Sequence, residues 1–209
     1  MNLLSKLFTQ KAHTLDKELN LLVITDLHTV YEEEIQKIQN YIYDCCILLG
    51  DIRFDDLMLI RKYVKGSIYG VLGNHDSYGI LENAGIENIH NKVITINEIK
   101  IIGFEGSSKY KKGNSPLYTQ EESLKIAKTM SKADILVSHD SPYCLYKKDP
   151  AHCGLKGITE YIKKNRIPIN IHGHQHINSK ITLKNQTKVL GVYKCSLVNI
   201  KTQNVKHIF

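Results

Sequence analysis

The sequence predicts an α/β fold in which two mixed sheets pack face to face with helices outside. Three observations lead there. The first half alternates short apolar runs with amphipathic helical stretches, the pattern of right-handed βαβ units and a parallel sheet. The second half brings strands closer together, beginning with two joined only by a tight turn. Finally, the apolar runs end in polar clusters, which gathers those clusters at one sheet edge, where open α/β sheets bind ligands.

Leu21 to Ile24 is apolar throughout and too short for a helix, so it reads as a strand buried on both faces. Glu32 to Tyr43 leads with acidic residues that suit a helix N-terminus and carries apolar residues at 35, 38 and 42. Cys45 to Leu49 is a second buried strand. Asp55 and Asp56 open a helix with Leu57, Ile60 and Val64 on one face, and Ile68 to Leu72 is the third strand. Lys92–Asn97 and Lys100–Phe104 are expected to pair as a hairpin. Gly106 to Tyr118 is a long loop rich in Gly, Ser and Lys. Thr119 followed by Glu122 is a capping box that starts a helix over 120–130. A strand at Ile135–Val137, a helix around 155–165 and a strand at Pro168–Ile171 follow, and the chain from Lys180 onward reads as strands. No repeat or linker interrupts it. The expected organisation is a short helix or arm over residues 1–20 and one domain over 21–209.

A chain of 209 residues is long enough for one domain with a substantial core. Its formal charge of +7 suits an anionic partner, but the lysines are dispersed and no basic block marks a nucleic-acid surface. The five cysteines are odd in number, form no CxxC pair and include the adjacent Cys45 and Cys46, so they are neither a disulfide framework nor a zinc knuckle and fit a reducing compartment. The first residues are too short an apolar stretch, broken by Lys6 and Lys11, for a signal peptide, and no run is long enough for a membrane span. A cytoplasmic protein without a membrane partner is the expectation.

The polar clusters are Asp26-x-His28, Gly50-Asp51, Gly73-Asn74-His75-Asp76, Ser138-His139 and Gly173-His174-x-His176. Singly each is weak evidence, Asn-His-Asp after a glycine being the most specific of them. An Asp-x-His or His-x-His is more often a surface pair or a satisfied core histidine, and Gly-Asn favours any turn. Together they supply carboxylates, an amide oxygen and imidazoles, a mixed oxygen–nitrogen set that suits manganese, iron, zinc or cobalt rather than calcium. There are more donors than one tetrahedral ion needs. Two ions at the ~3.5–4 Å separation of dinuclear sites would use them and clamp a phosphoryl group.

In this order the clusters resemble the signature of the calcineurin-like metallophosphoesterases: DxH, GD, GNH followed by D or E, H, and GHxH. The likeness covers nearly the whole chain from about Leu21. It extends, as in small single-domain bacterial members, to Gly103-Phe104-Glu105-Gly106-Ser107 followed by Tyr118-Thr119-x-Glu121-Glu122. The resemblance implies a four-layer αββα sandwich and two divalent metal ions, manganese first, with iron, zinc, cobalt or nickel as alternatives. It implies one ion held by Asp26, His28, Asp51 and His176 and the other by Asp51, Asn74, His139 and His174, with Asp51 bridging. It further implies attack on a phosphomonoester or phosphodiester by a hydroxide bridging the two ions, with Asp51 and His75 as the catalytic residues. His75 would contact the phosphate and protonate or stabilise the leaving oxygen.

Departures from the pattern are specific. Thr29 stands where many members have glycine. Phe54 stands where the protein-phosphatase branch has an Asp that supports the catalytic His, which leaves Asp55, Asp56 and Asp76 as candidates to orient His75. Arg53 is either a phosphate contact or a surface salt bridge. His172 reads as a packed strand residue, His13, His90 and His207 as surface or loop, and His152 and Tyr143 as candidates to line the pocket. The expected partner is a small phosphorylated substrate. A nuclease is the alternative within enzymes, disfavoured because the chain has no room for an added DNA-binding domain. A non-catalytic protein-binding scaffold of the same fold is the other, and His75 argues against it.

Overall fold

Strands that are apolar on both faces have to be covered on both sides, and that requirement sets the layers. In the computed structural model, which describes residues 12, 15–28, 30–146 and 149–209, the first sheet starts from four parallel strands. They are β1 (Asn20–Thr25), β2 (Cys45–Leu48), β3 (Ile68–Gly70) and β4 (Glu87–Asn88). The second sheet draws on β5 (Val93–Ile96), β6 (Ile99–Phe104), β9 (Ile135–Ser138), β10 (Ile169–His172), β11 (Ser179–Thr182) and β12 (Lys188–Gly191). Between its strands, β7 (Ser107–Ser108) and β8 (Leu117–Tyr118) pair at the base of the long loop. The chain ends with β13 (Lys194–Asn199) and β14 (Asn204–His207), which join the first sheet antiparallel beside β1. The resulting orders are β14-β13-β1-β2-β3-β4 and β11-β12-β10-β9-β6-β5. Both sheets are mixed: β6, β9, β10 and β12 are parallel, and β5 and β11 run against them at the edges.

Alternation along each strand assigns the residues to layers. Leu21, Val23, Cys45 and Ile47 of the first sheet meet Ile101, Ile135, Val137, Ile169 and Ile171 of the second between the sheets. Their neighbours Leu22, Ile24, Cys46 and Leu48 face outward onto Ile35, Leu57 and Ile60 of α1 (Glu32–Gln36) and α2 (Phe54–Tyr63). A short α3 (Ile80–Asn83) covers the same face through Leu81. On the far side, Ile102, Phe104 and Leu136 pack on Ala127 of α4 (Gln120–Thr129) and on Ile158, Tyr161 and Ile162 of α5 (Lys156–Asn165). This is a four-layer αββα sandwich. The capping box at α4 is in place, with Glu122 N–H donating to Thr119 Oγ1 at 3.2 Å and Thr119 N–H donating to Glu122 at 2.8 Å. Among the described residues no helix is long and apolar enough to cross a membrane.

The helix expected over 32–43 is shorter than its sequence pattern. It is α-helical only to Gln36 and tightens into a 3₁₀ turn over Lys37–Asn40. Ile35 and Ile38 are buried, three residues apart as a 3₁₀ turn prefers, whereas Ile42 is 90% exposed and gives the helix no third anchor. The arm expected over residues 1–20 lies mostly outside the described residues, as does His13. Of the part that is described, Leu15 packs against the inter-sheet core and Leu19 is buried in it.

The sheets approach closely at Gly103 of β6, where a Cβ would sit 2.5 Å from Val71 Cγ1 and 2.7 Å from the Ile89 carbonyl. Backbone cannot yield there, so Gly103→Ala should lower unfolding free energy by about 1–3 kcal/mol, the usual cost of overpacking. Denaturant titration checks this, and an unchanged midpoint would contradict the tight inter-sheet contact.

Candidate metal centre

The three clusters of the first half follow β1, β2 and β3, and the other two follow β9 and β10, so both sheets deliver donors to one edge. The chain is forced into unusual backbone to do so. Asp26, Asp51, His174 and His176 all have left-handed φ of 52–62°, each a conformation that costs on the order of 1–3 kcal/mol for a non-glycine residue. Gly73 is needed because a Cβ there would fall 2.1 Å from Asp51 Oδ1, and Gly173 because one would fall 2.1 Å from Thr25 Oγ1. The loops are sewn across the two sheets by His174 N–H, which donates to Asp26 Oδ2 at 2.8 Å.

Two donor groups result. Asp26, His28 and His176 form one, and Asp51, His139 and His174 the other, with the donor atoms of each within 4.8 Å of one another. In the first, His28 Nε2 lies 3.1 Å from His176 Nε2, and Asp26 Oδ1 lies 3.3 Å from His176 Nε2. Asp26 Oδ2 already accepts from Thr25 Oγ1 and His174 N–H, while Oδ1, wholly buried, has no hydrogen-bond donor. Burial works to raise the Asp26 pKa, but His176, the charge on His139 and those two donors outweigh it and bring it down to about 2.

The second group fixes its own tautomers. His139 Nδ1 sits 2.6 Å from the Leu49 carbonyl, an acceptor only, so Nδ1 carries the proton and a neutral ring presents a lone pair at Nε2. That lone pair faces Asn74 Oδ1 at 2.8 Å and Asp51 Oδ2 at 3.6 Å, two further acceptors. His174 Nε2 is 2.8 Å from the Ala151 carbonyl, so its Nδ1 is the nitrogen left with a lone pair. Burial, then the charge on His139, push its pKa down to about 3, which keeps that pair available. His139 itself is raised: burial opposes its charge, but Asp51 and Asp26 prevail. Converging lone pairs in a buried pocket that favours positive charge are what a divalent cation needs, and the oxygen–nitrogen donor set fits one in each group.

The motif's last residue, Asp76, does not reach His75. Its Oδ2 accepts from Gly73 N–H at 2.7 Å and Asp51 N–H at 2.9 Å, and its Oδ1 from Ile52 N–H at 3.2 Å. Burial, the largest influence, raises its pKa. Asp76 is therefore a clasp between the loops after β2 and β3, and it sets the backbone of the Asp51 loop. Asp56 is buried but occupied by Arg53 Nε at 3.0 Å, and Asp55 is exposed. Among the described residues the ring of His75 has no hydrogen-bond partner. Its backbone N–H donates to Asp51 Oδ1 at 2.8 Å, and the exposed ring lines the groove beside the centre.

Arg53 thus makes the salt bridge that was one of its two readings. His172 is fully buried in β10 with its pKa lowered by burial to about 4. It donates from Nδ1 to the Gly173 carbonyl and accepts at Nε2 from Tyr146 Oη. His90 is not a surface residue. It is half-buried between Phe104 and Tyr118, and its Nδ1 accepts from Glu105 N–H at 3.1 Å. His152 stacks on His174 with ring centroids 5.1 Å apart and is held by Asp149 at 2.9 Å, so it borders the centre. Thr29 lies outside the described residues.

Nothing in the sequence marks Tyr110 as part of the site. It reaches from the Gly/Ser/Lys-rich loop so that Asn74 Nδ2 donates to its hydroxyl at 3.4 Å, which turns Asn74 Oδ1 toward His139. An aromatic residue among lysines in a long loop carries no signal for this.

The fold and the paired donor groups define a metallophosphoesterase. Residues 19–178 match the calcineurin-like phosphoesterase family, and the chain belongs to it. No curated protein sequence matches the chain. Solved structures share the fold. A dimetal phosphatase from Danio rerio superposes with a TM-score of 0.61 at 9% identity, covering 87% of this chain and 92% of its own. A protein from Thermus thermophilus gives 0.60 at 12% identity over 91% and 98%. The phosphopantetheinyl hydrolase from Mycobacterium tuberculosis gives 0.58 at 14% identity over 86% and 91%.

Two consequences are measurable. Asp76→Asn keeps the shape but turns an amide donor toward backbone donors, so it should destabilise by about 1–3 kcal/mol in denaturant unfolding; an unchanged stability would remove the clasp. Tyr110→Phe frees the Asn74 amide and should weaken divalent-metal affinity about 10-fold by titration calorimetry, the low end of outer-shell effects. Equal affinities would show that Tyr110 does not orient Asn74.

Proposed function

We propose that this protein is a dinuclear-metal-dependent phosphoric ester hydrolase acting on a small phosphomonoester or phosphodiester, with manganese as the native metal. The observation that supports it is the pairing of two lone-pair-rich groups with one imidazole, His75, that is tied to neither. Asp26, His28 and His176 would hold the first ion, Asn74, His139 and His174 the second, and Asp51 both. When bound, such ions would supply Lewis acidity, activating water as the nucleophile and neutralising charge on the phosphoryl oxygens.

The protein's own residues do the rest. His75, exposed and without a partner on its ring, is placed to donate a hydrogen bond or a proton to the departing oxygen. Its backbone N–H fixes Asp51 Oδ1, so the shared ligand and the acid are set by one loop. The Leu49 and Ala151 carbonyls hold the tautomers of His139 and His174. Asp76 keeps the two loops in register.

With Mn²⁺, the protein should hydrolyse 4-nitrophenyl phosphate or its bis-ester, lose activity on chelation and regain it on adding metal back. His75→Ala should cut kcat by about 100-fold or more while the metal content of the purified variant stays at the wild-type level. A variant that turns over at the wild-type rate would remove His75 from the chemistry. Failure to bind metal or cleave either ester would remove the reading altogether.

A further inference from the structure

Beside the metal centre is a groove of about 300 Å³ whose wall includes His28, Asp51, His75 and Asp76 and whose remaining wall has no part in the chemistry above. Leu27 and Ile52, both buried, and the half-buried Ile80 give it an aliphatic floor. Arg53 stands at its rim and is the only Lys or Arg among the described residues that line it. We infer that this groove receives the leaving group of the substrate, and that Arg53 grips an anionic group, carboxylate or phosphate, that the leaving group itself carries. The inference rests on the phosphoesterase reading, because the side of the centre occupied by His75 is the leaving-group side only if His75 serves the departing oxygen.

The geometry of Arg53 points to a ligand rather than to a plain surface pair. Asp56, its partner, is 2% exposed and sits in the first turn of α2, so the anchor is rigid. The bond is made through Nε, at 3.0 Å, on one edge of the guanidinium. Among the described residues the two terminal nitrogens have no partner, and the side chain is 67% exposed. An arginine held by one edge presents its remaining N–H fork with little rotamer freedom left to lose, the arrangement that suits bidentate binding of carboxylate or phosphate. Compensating the buried Asp56 carboxylate takes only the Nε edge, which leaves the two terminal nitrogens without a structural role.

Charge in the rest of the groove agrees. Its two carboxylates are committed elsewhere: Asp76 to three backbone N–H groups, and Asp51 to His75 N–H and the His139 side. The aliphatic floor supplies contact for the carbon body of a leaving group, which inorganic phosphate alone would not use. A ring or short chain with a terminal anion fills both parts of the groove at once.

The test compares esters that differ only in that anion: phenyl phosphate, 4-carboxyphenyl phosphate and 4-(phosphonomethyl)phenyl phosphate, each with the Mn²⁺-loaded full-length protein at low ionic strength. The wild type should favour the anionic esters about 10-fold in kcat/KM, which one charge-assisted bidentate contact can supply. Which of the two anionic esters is better tells carboxylate from phosphate. In Arg53→Gln the preference should fall toward one, through KM rather than kcat, with partial retention in Arg53→Lys. Thermal melts of both variants control for folding. A wild-type preference near one, or a preference that survives Arg53→Gln, would overturn the inference. Calorimetric binding of benzylphosphonate and 4-carboxybenzylphosphonate decides it without turnover: the carboxylate should tighten binding in the wild type and not in Arg53→Gln, and equal affinities in the wild type would overturn it. Absence of all ester hydrolysis would count against the phosphoesterase reading instead, so the two failures are distinguishable.

Discussion

Electron-pair donors facing one another at short range are the constraint on which this site depends. His139 Nε2 points at Asn74 Oδ1 across 2.8 Å, and His28 Nε2 and His176 Nε2 meet at 3.1 Å beside an orphaned carboxylate oxygen of Asp26. Between neutral groups the His139–Asn74 contact sets two lone pairs against each other, which is costly in a buried setting, whereas the exposed His28 and His176 can share a proton. Positive charge is favoured here: against the cost of burial, Asp51 and Asp26 pull His139 toward its charged form. A cation would relieve the facing lone pairs more completely. The surrounding protein devotes much of its local structure to keeping these groups together: four donor residues in left-handed backbone, glycines where a Cβ would collide, and the Asp76 clasp across two loops.

The sandwich can sustain this because the loops are short and start from strands buried on both faces. β1, β2, β9 and β10 lie inside their sheets, each paired on two sides, and their side chains are shared between the inter-sheet core and a helical layer. Strain at the strand ends is thus opposed by burial immediately upstream. The outer-shell contacts extend the same logic. Carbonyls of Leu49 and Ala151 come from loops of opposite sheets, and each sets which nitrogen of a histidine is free. The orientation of these histidines for a metal and the packing of the loops are therefore not separable properties of this edge.

Much of this was legible in the chain. The buried strands show as apolar runs, the capping box of α4 shows as Thr119 and Glu122, and the clusters show because each follows a run directly. The structure brings all of Asp26, His28, Asp51, Asn74, His139, His174 and His176 to one edge. What was not legible depends on distance through space. Asp76 reads as one more carboxylate near His75, and only the fold reveals three backbone donors converging on it. Tyr110 sits in a loop whose path no periodicity describes. His90 looks like a loop residue but is enclosed by Phe104 and Tyr118, which approach from β6 and β8. The helix after β1 ends before its apolar spacing does, because Ile42 keeps that spacing while pointing to solvent.

The sharing of one carboxylate, Asp51, by two ions is the claim that most of the chemistry hangs on. Titration of the metal-free protein with Mn²⁺, followed by electron paramagnetic resonance, tests it directly. Two ions bridged through Asp51 should give an exchange-coupled spectrum that grows in as the second ion binds and is replaced by an uncoupled one in Asp51→Ala. A single magnetically isolated Mn²⁺ signal, with no second ion bound at saturation, would contradict it.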